Sequence, residues 1–595
     1  MDPLLLFRTL RHLRWEQLVY RPLRVAQYRL YRAFPPLTSG WTNSNGAAPG
    51  IASESINLFR RVFEESFAHL KTPLEGFDRR LVDLAEGRHT FLNRTVKLDP
   101  IDWNRRYESH LWNYQLHYFD FAIWCARALV ERGDQKSWRS CQSLIESWIE
   151  QARAGRSDGW DAYPVSLRVV NWIYAYALVA EVCDDRRFPA AWRASIYRQL
   201  DFLSRHLEFH LLANHLLKNV KALVIGGLFF GHERWLAAGE RLLWREFEEQ
   251  VLEDGGHYER SPMYHAQATV DFLECYALLG AFNRLPPNAS EVESKLRLMA
   301  GFLEAMSYAD GTLALFNDSA NTEETRPRPV IETAKRVCGY GEKSFPREFR
   351  QTGYWLWVSA DEREKIVVDA GPPSVAYNAA HAHCDLLSYE LWLDGEPFIV
   401  DSGVHGYGGD RFREYCRSTR AHNTVMFDGR EQSEVWGAFR MARRAALLSY
   451  EANSEEGLWR FSGAYVPYHA QHRPYYTNPL IHGRQIKREA NGDWIIADTM
   501  LYGMANRASS FIHLHPRVSA RQTSRHSLPV ECKRGDLTVL IEPFGVESCE
   551  IIAGAKSPLQ GWYFPDFGVA QPSQTIRFDC RVKIGEAFGY RIRRR

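Results

Sequence analysis

The sequence predicts an α+β chain in two unlike halves, helical first and all-β second. Three observations carry that expectation. From about residue 55 to 345 apolar residues recur at helical spacing. From Tyr354-Trp355-Leu356-Trp357-Val358 onward the period shortens to two, as in strands. The pairs Asp394-Gly395 and Asn491-Gly492 fall between apolar runs, where hairpin turns belong. A chain of 595 residues exceeds one hydrophobic core. The pattern divides it into an N-terminal segment and linker (1–50), a helical domain (51–345) and a β domain (346–595).

Within the first segment, residues 4–32 carry Leu10, Leu13, Leu18, Val19 and Tyr20 among Arg21, Arg24, Arg29 and Arg32. That is a basic amphipathic helix, expected to pack on its own domain and compatible with peripheral membrane contact. Residues 37–50 are rich in Ser, Gly and Pro and predict a linker. Helical periods then cover 111–129, 142–153, 165–182, 190–207, 216–230, 235–252, 264–279 and 292–308. The short loops between them are what an (α/α) toroid needs. Strand-like runs follow at 365–369 and 493–497.

Ten cysteines show no pairing rhythm, which suits a reducing compartment. Arg8, Arg11 and Arg14 interrupt the first apolar residues too soon for a secretion signal, and no apolar run reaches about 18 residues. A cytoplasmic or membrane-peripheral chain is therefore expected. The net charge of +2 conceals arginines set beside aromatics in the helical half. Trp160, Tyr163 and Arg168 are predicted to bind substrate, because aromatic faces stack on sugar rings and guanidinium forks grip carboxylates or sulfates. Trp172 continues an apolar helix and is expected to be packed. No Gly-rich nucleotide loop lies between strand and helix, and Gly226-Gly227 falls within a helix.

The chemistry-bearing residues come in two clusters. His381-Ala-His383, Asp401 and His422 supply a metal-ligand combination with one imidazole to spare. In a strand, side chains two apart share a face, so one of His381 and His383 can bind a metal while the other meets substrate. Upstream, Asn214-His215 sits in an apolar helical stretch, and Glu259-Arg260-Ser261-Pro262-Met263-Tyr264-His265 opens a helix with Ser261 as N-cap and Pro262 at its first position. Singly, each has an ordinary structural explanation: a helix Asn bonding a neighbouring turn, a packed Tyr, a sheet His on a buried Asp.

Jointly, the order Asn-His, Glu-x-Ser-Pro-x-Tyr-His, His-x-His-x-Asp, Val-Asp-Ser-Gly and His-Asn-Thr resembles the heparinase II/III and alginate lyase superfamily of polysaccharide lyases. The resemblance implies an (α/α) toroid on an antiparallel β-sandwich, with the active site between them. It further implies that Asn214 and His215 bind the uronate carboxylate, that Tyr264 and His381 are catalytic, and that His383, Asp401 and His422 hold a metal, usually zinc, or another divalent ion. For a second tyrosine it leaves Tyr407 and Tyr415 open; Tyr407 and Glu259 are counted with the substrate contacts. The implied activity is β-elimination on an acidic, uronate-containing polysaccharide or oligosaccharide. A capsule or exopolysaccharide link is also expected, and a nucleic-acid partner is not. Two other classes compete: a glycoside hydrolase, for which Glu259 and Asp158 are the candidate carboxylates, and a noncatalytic glycan-binding protein of a polysaccharide assembly system.

Overall fold

Helices Ala162–Val179, Ala213–Phe230 and Pro262–Ala281 are buried nearly all round, whereas Gln135–Gln151 and Glu233–Gln250 bury a single stripe. Helices apolar on every side must be enclosed, and one-sided helices face water. The outcome is an (α/α) toroid of inner and outer helices joined by short turns. Glycine permits the closest approach: a Cβ at Gly227 would lie 2.8 Å from the Leu236 backbone nitrogen of the neighbouring helix. The computed structural model describes residues 3–42, 48–73, 75–182, 187–341, 346–455, 458–470, 480–524 and 527–595.

Each expected helix is present, with ends displaced by three residues or fewer except that the helix expected from 142 begins at Gln135. The 111–129 period is divided at Phe119 (φ 57°) into His110–Tyr118 and Asp120–Arg132. The expected N-terminal helix is likewise two, Pro3–Leu10 and Trp15–Ala33. Part of the expected linker is helical (Pro35–Thr38 and Ser39–Thr42), while residues 43–47 of it lie outside the described residues. A hairpin of Arg88–Phe91 and Arg94–Lys97 interrupts the helical half.

The β half is an antiparallel sandwich. One layer is an eight-stranded sheet in the order Ala446–Glu455, Leu458–Val466, Leu480–Arg488, Trp494–Gly503, Ala587–Arg594, Leu537–Phe544, Val530–Arg534 and Ser519–Gln522. Facing it are a five-stranded sheet (Glu348–Phe349 through Glu396–Ile399) and a four-stranded sheet (Val425–Phe427, Arg507–His513, Gln574–Arg581, Ser548–Ala553), which meet edge to edge at Ile399 and Leu514. Val368, Tyr389, Phe461, Ile486, Ile496 and Ile576 interlock between the layers. The toroid is fixed to the five-stranded sheet by Tyr308, whose ring stacks on Trp392 at 4.0 Å and whose hydroxyl donates to Glu390 at 2.6 Å. Lys365 Nζ adds bonds to the carbonyls of Ala305 (2.7 Å) and Ser307 (2.6 Å).

Inside the sandwich Asp498 receives Arg484 Nε at 2.7 Å and His482 Nε2 at 2.8 Å, and Arg484 also bonds the Leu387 carbonyl at 2.7 Å and the Asn423 carbonyl. Burial opposes ionisation of Asp498, but Arg484 and His482 outweigh it and hold the carboxyl at about 2, against an ordinary 3.8. A depressed folded pKa contributes stability that is full above the unfolded value and lost as pH falls through the folded one. We therefore expect about 2 kcal/mol of stability to be lost between about pH 4 and pH 2. Urea unfolding across that window should show the slope, and Asp498→Asn should flatten it; an unchanged slope would remove the assignment. Among the described residues no helix is long and apolar enough to cross a membrane, and the nine described cysteines are free.

Candidate active site at the junction of toroid and sandwich

The toroid wall begins with a distorted turn. Leu212 (φ 63°, ψ −154°) and Ala213 (φ 49°) occupy backbone regions that residues other than glycine seldom adopt, each at a cost on the order of 1–3 kcal/mol. This turn delivers Asn214 and His215 in the first turn of Ala213–Phe230 rather than inside it. The Asn214 amide makes no hydrogen bond to another described residue, so its donors are available to a ligand. His215 lies 4.5 Å from the Tyr163 ring and places Nδ1 3.2 Å from Glu208 Oε1. Burial works against the Glu208 charge, but His215 prevails and lowers its pKa, so an ionised carboxylate keeps the proton on His215 Nδ1.

Ser261 caps the helix Pro262–Ala281 by accepting the Tyr264 amide at 3.3 Å, with Pro262 at the first position. The cap fixes Tyr264 in the first turn, its ring 4.0 Å from that of His381 and its hydroxyl 2.9 Å from the Tyr407 hydroxyl. Burial, then the neighbouring Tyr407 and Asp318, push the Tyr264 phenol well above its ordinary pKa. It therefore holds its proton at neutral pH.

His381 and His383 were expected on a strand; they lie instead in the loop between strands Lys365–Asp369 and Tyr389–Leu393. A shared carboxylate, not the pleat, brings them together. Asp318 receives His381 Nδ1 on Oδ2 and His383 Nε2 on Oδ1, both at 2.8 Å. Arg413 forks onto the same carboxylate, one arm at 2.9 Å, and its guanidinium carbon lies 5.1 Å from the centre of the Tyr407 ring. Burial disfavours the Asp318 charge, yet Arg413 and the two histidines hold its carboxyl well below the usual carboxylate range. His381 donates from Nδ1 to the ionised Asp318, and its Nε2, which makes no hydrogen bond to another described residue, lies 3.9 Å from Glu259 Oε1. Burial raises the Glu259 pKa, while His381 and His215 oppose the rise. Glu259 thus stands within electrostatic reach of both walls.

Behind this layer, His383 Nδ1 and His422 Nε2 are buried without a hydrogen-bond partner. Ligand atoms of His383, Asp385 and His422 lie within 4.8 Å of one another. Two orphaned imidazole nitrogens beside a carboxylate suit a divalent ion such as zinc. Asp401, expected among the ligands, is committed elsewhere: Oδ2 takes His422 Nδ1 at 2.7 Å and Oδ1 takes the Gly403 amide at 3.1 Å. Asp318 and Asp401 therefore each bond the far nitrogen of one histidine, as carboxylates commonly do behind metal-bound imidazoles.

Residues 56–338 match the heparinase II/III N-terminus family and residues 343–591 the heparinase II/III-like C-terminal family. The chain belongs to the heparinase II/III-like family. It is 26% identical over 348 residues to a heparin-sulfate lyase of Pedobacter heparinus, covering 53% of this chain and 52% of that one. Over 429 residues it is 24% identical to a heparin-sulfate lyase of Bacteroides thetaiotaomicron, covering 63% and 60% respectively. The chain thus spans about half to three fifths of the length of these curated relatives. The crystal structure of heparinase III superposes with a TM-score of 0.69 at 20% identity, covering 88% of this chain and 85% of the other, a likeness of fold.

Two expected substrate contacts of this heparinase II/III-like chain prove to be core residues. Trp160 is 2% exposed, stacked on Trp148 and bonded to the Ala152 carbonyl. Arg168 is fully buried, donating to the carbonyls of His117 (3.0 Å) and Gly159 (2.8 Å) and to Gln199 (2.8 Å). Turning an aromatic–arginine run into helix interior leaves its guanidinium to satisfy backbone carbonyls, not a sugar. Tyr163 lies against the His215 ring, Tyr407 bonds Tyr264 and Glu259 stands beside His381, whereas Tyr415 points to His513, 3.5 Å from its hydroxyl. Phe439, which the sequence did not single out, is 42% exposed and 6.2 Å from the His381 ring, an open aromatic face beside the site.

Proposed function

We propose that the chain is a polysaccharide lyase that cleaves an acidic, uronate-containing polysaccharide by β-elimination. The observation that carries this is a proton-holding phenol and an imidazole with a free nitrogen in ring contact, Tyr264 against His381. The curated relatives named as heparin-sulfate lyases support the substrate class.

In the proposed reaction His381 Nε2 removes the proton at C5 of the uronate, and Tyr264 gives its proton to the departing glycosidic oxygen. Charge developing on the uronate carboxyl meets the free amide of Asn214, a donor positioned before the reaction begins, and the His215 ring, which donates from Nε2 when it carries both ring protons, since Nδ1 is spent on Glu208. The Tyr407 hydroxyl, 2.9 Å from that of Tyr264, donates a hydrogen bond to the phenolate this leaves, and the proton taken up by His381 passes through solvent to restore Tyr264. Hydrolysis would need two carboxylates flanking the bond. Asp158 is held by Arg106 at 2.8 Å through both oxygens, and Asp318 by Arg413 and two histidines, so neither of these two is free to pair with Glu259. Incubation with a panel of uronate polysaccharides should produce the absorbance of unsaturated uronate ends. Reducing ends without that absorbance would establish hydrolysis; neither signal, with binding retained, would leave a glycan-binding protein.

His383, Asp385 and His422 would hold one zinc ion, whose part is to fix the loop that presents His381. Elemental analysis should find about one zinc per chain in the parent protein. Asp385→Ala should lose it, and Asp401→Ala should weaken its affinity by about 10- to 100-fold. Full metal in Asp385→Ala together with none in Asp401→Ala would return Asp401 to the ligand set.

A further inference from the structure

The N-terminal helix Trp15–Ala33 is amphipathic the wrong way round for a helix that only packs on its domain. Its buried residues are Gln17, Arg24 and Tyr31. They are held by specific polar bonds: Arg24 to the carbonyls of Leu207 (3.1 Å) and Arg205 (3.2 Å), and Tyr31 to His206 (2.8 Å), with Gln27 also reaching His206 at 3.0 Å. The outward face carries Trp15 (66% exposed), Leu18 (46%), Val19 (52%), Leu23 (51%), Val25 (48%) and Leu30 (46%). At 3.6 residues per turn these six fall within an arc of about 160°, centred opposite Arg24. Polar bonds to the toroid fix the helix's rotation, so it cannot turn to bury that arc.

Before it, the helix Pro3–Leu10 exposes Leu4 and Phe7, and after it Phe34 and Leu37 are exposed. Residues 3–42 contain seven arginines and one acidic residue, Glu16. Arg8 and Arg14 are paired with Glu434 and Glu249, and Arg24 is buried, but Arg11, Arg21, Arg29 and Arg32 are exposed. On the helix, Arg21 and Arg32 border the apolar arc on one side and Arg29 lies within it.

We propose that this helix docks the protein on an anionic lipid bilayer, with the apolar arc in the headgroup region and the arginines on lipid phosphates. Charge complementarity selects this occupant: a convex apolar stripe beside a cationic margin, with no acidic residue in the arc, matches an anionic interface. The helices also brace the docking face to both halves, since Thr9 accepts Trp436 Nε1 at 3.0 Å from the sandwich. The inference is independent of the catalytic assignment, because it uses no cleft residue.

The test is co-sedimentation of the full chain with vesicles of phosphatidylcholine alone or mixed equally with phosphatidylglycerol. Partition should be at least about tenfold higher on the anionic vesicles and fall as salt rises. L18D/L23D, confined to exposed positions, should lower it by at least about tenfold, with thermal unfolding unchanged. R21E/R29E should lower it on anionic vesicles. No binding by the parent chain, or binding unchanged in L18D/L23D, would overturn the proposal. So would a concentration-dependent dimer that L18D/L23D dissociates, which would make the occupant a second copy.

Discussion

Tyr264→Phe lowers kcat by about a hundredfold or more and leaves KM near the parental value. The substitution keeps the ring against His381 and removes only the hydroxyl bonded to Tyr407. Ground-state packing of the sugar is preserved, while the proton for the departing oxygen is lost. Folding loses one hydrogen bond, about 1 kcal/mol, which a domain of this size tolerates. Asn214→Ala behaves differently. In the proposed mechanism its amide touches the carboxylate before and during reaction, so KM should rise as kcat falls by about 10² to 10³. His381→Ala should follow Tyr264→Phe and leave the proposed zinc site intact, because its Nδ1 is spent on Asp318. The measurement is kcat and KM of each variant from the absorbance of unsaturated product. Near-parental turnover in both Tyr264→Phe and His381→Ala, with fold and metal intact, would sink the proposed mechanism and favour glycan binding.

Asp318→Ala destabilises the protein by about 3–5 kcal/mol. Its carboxylate is fully buried and answers Arg413, which is 1% exposed, together with His381 and His383. Removing it strands a guanidinium away from water, a larger loss than the worth of the pair itself. Arg413→Ala should be costly for the mirror reason, though two histidines still partner the carboxylate. The double variant should cost clearly less than the two singles combined, since neither charge is then left alone. Urea unfolding of the four proteins measures the coupling. Strict additivity would show that the two charges are not engaged with each other.

Much of this architecture is legible in the sequence because it depends on local period. The enclosed helices Ala162–Val179 and Ala213–Phe230 announce themselves by apolar residues on every face, and the Ser261-Pro262 start is local chemistry. The motif order also names residues that the fold brings side by side, such as Tyr264 against His381. What escapes is whatever depends on folding distant segments together. Asp318 sits in an unremarked Asn317-Asp318-Ser319 and gains its role only when the loops bearing His381 and Arg413 close over it. Asp385 belongs to the His-x-His-x-Asp run, but spacing cannot tell which carboxylate faces the free nitrogens of His383 and His422. The aromatic–arginine run around Trp160 misleads because composition describes a groove and a packed helix equally well; only the carbonyls of His117 and Gly159, waiting for Arg168, decide it.

Asp318 has two oxygens, and each holds one histidine of the loop. Any displacement of the His383 ring is therefore felt at the His381 ring through a single rigid carboxylate. Two equilibria that meet at one group are linked, and linkage is symmetric. If filling the nitrogen site behind His383 shifts the affinity of the cleft for a uronate oligosaccharide by some factor, saturating the cleft must shift ion affinity by that same factor. Titrating zinc with and without a nonreactive oligosaccharide would therefore read the conversation between the two histidines from either end.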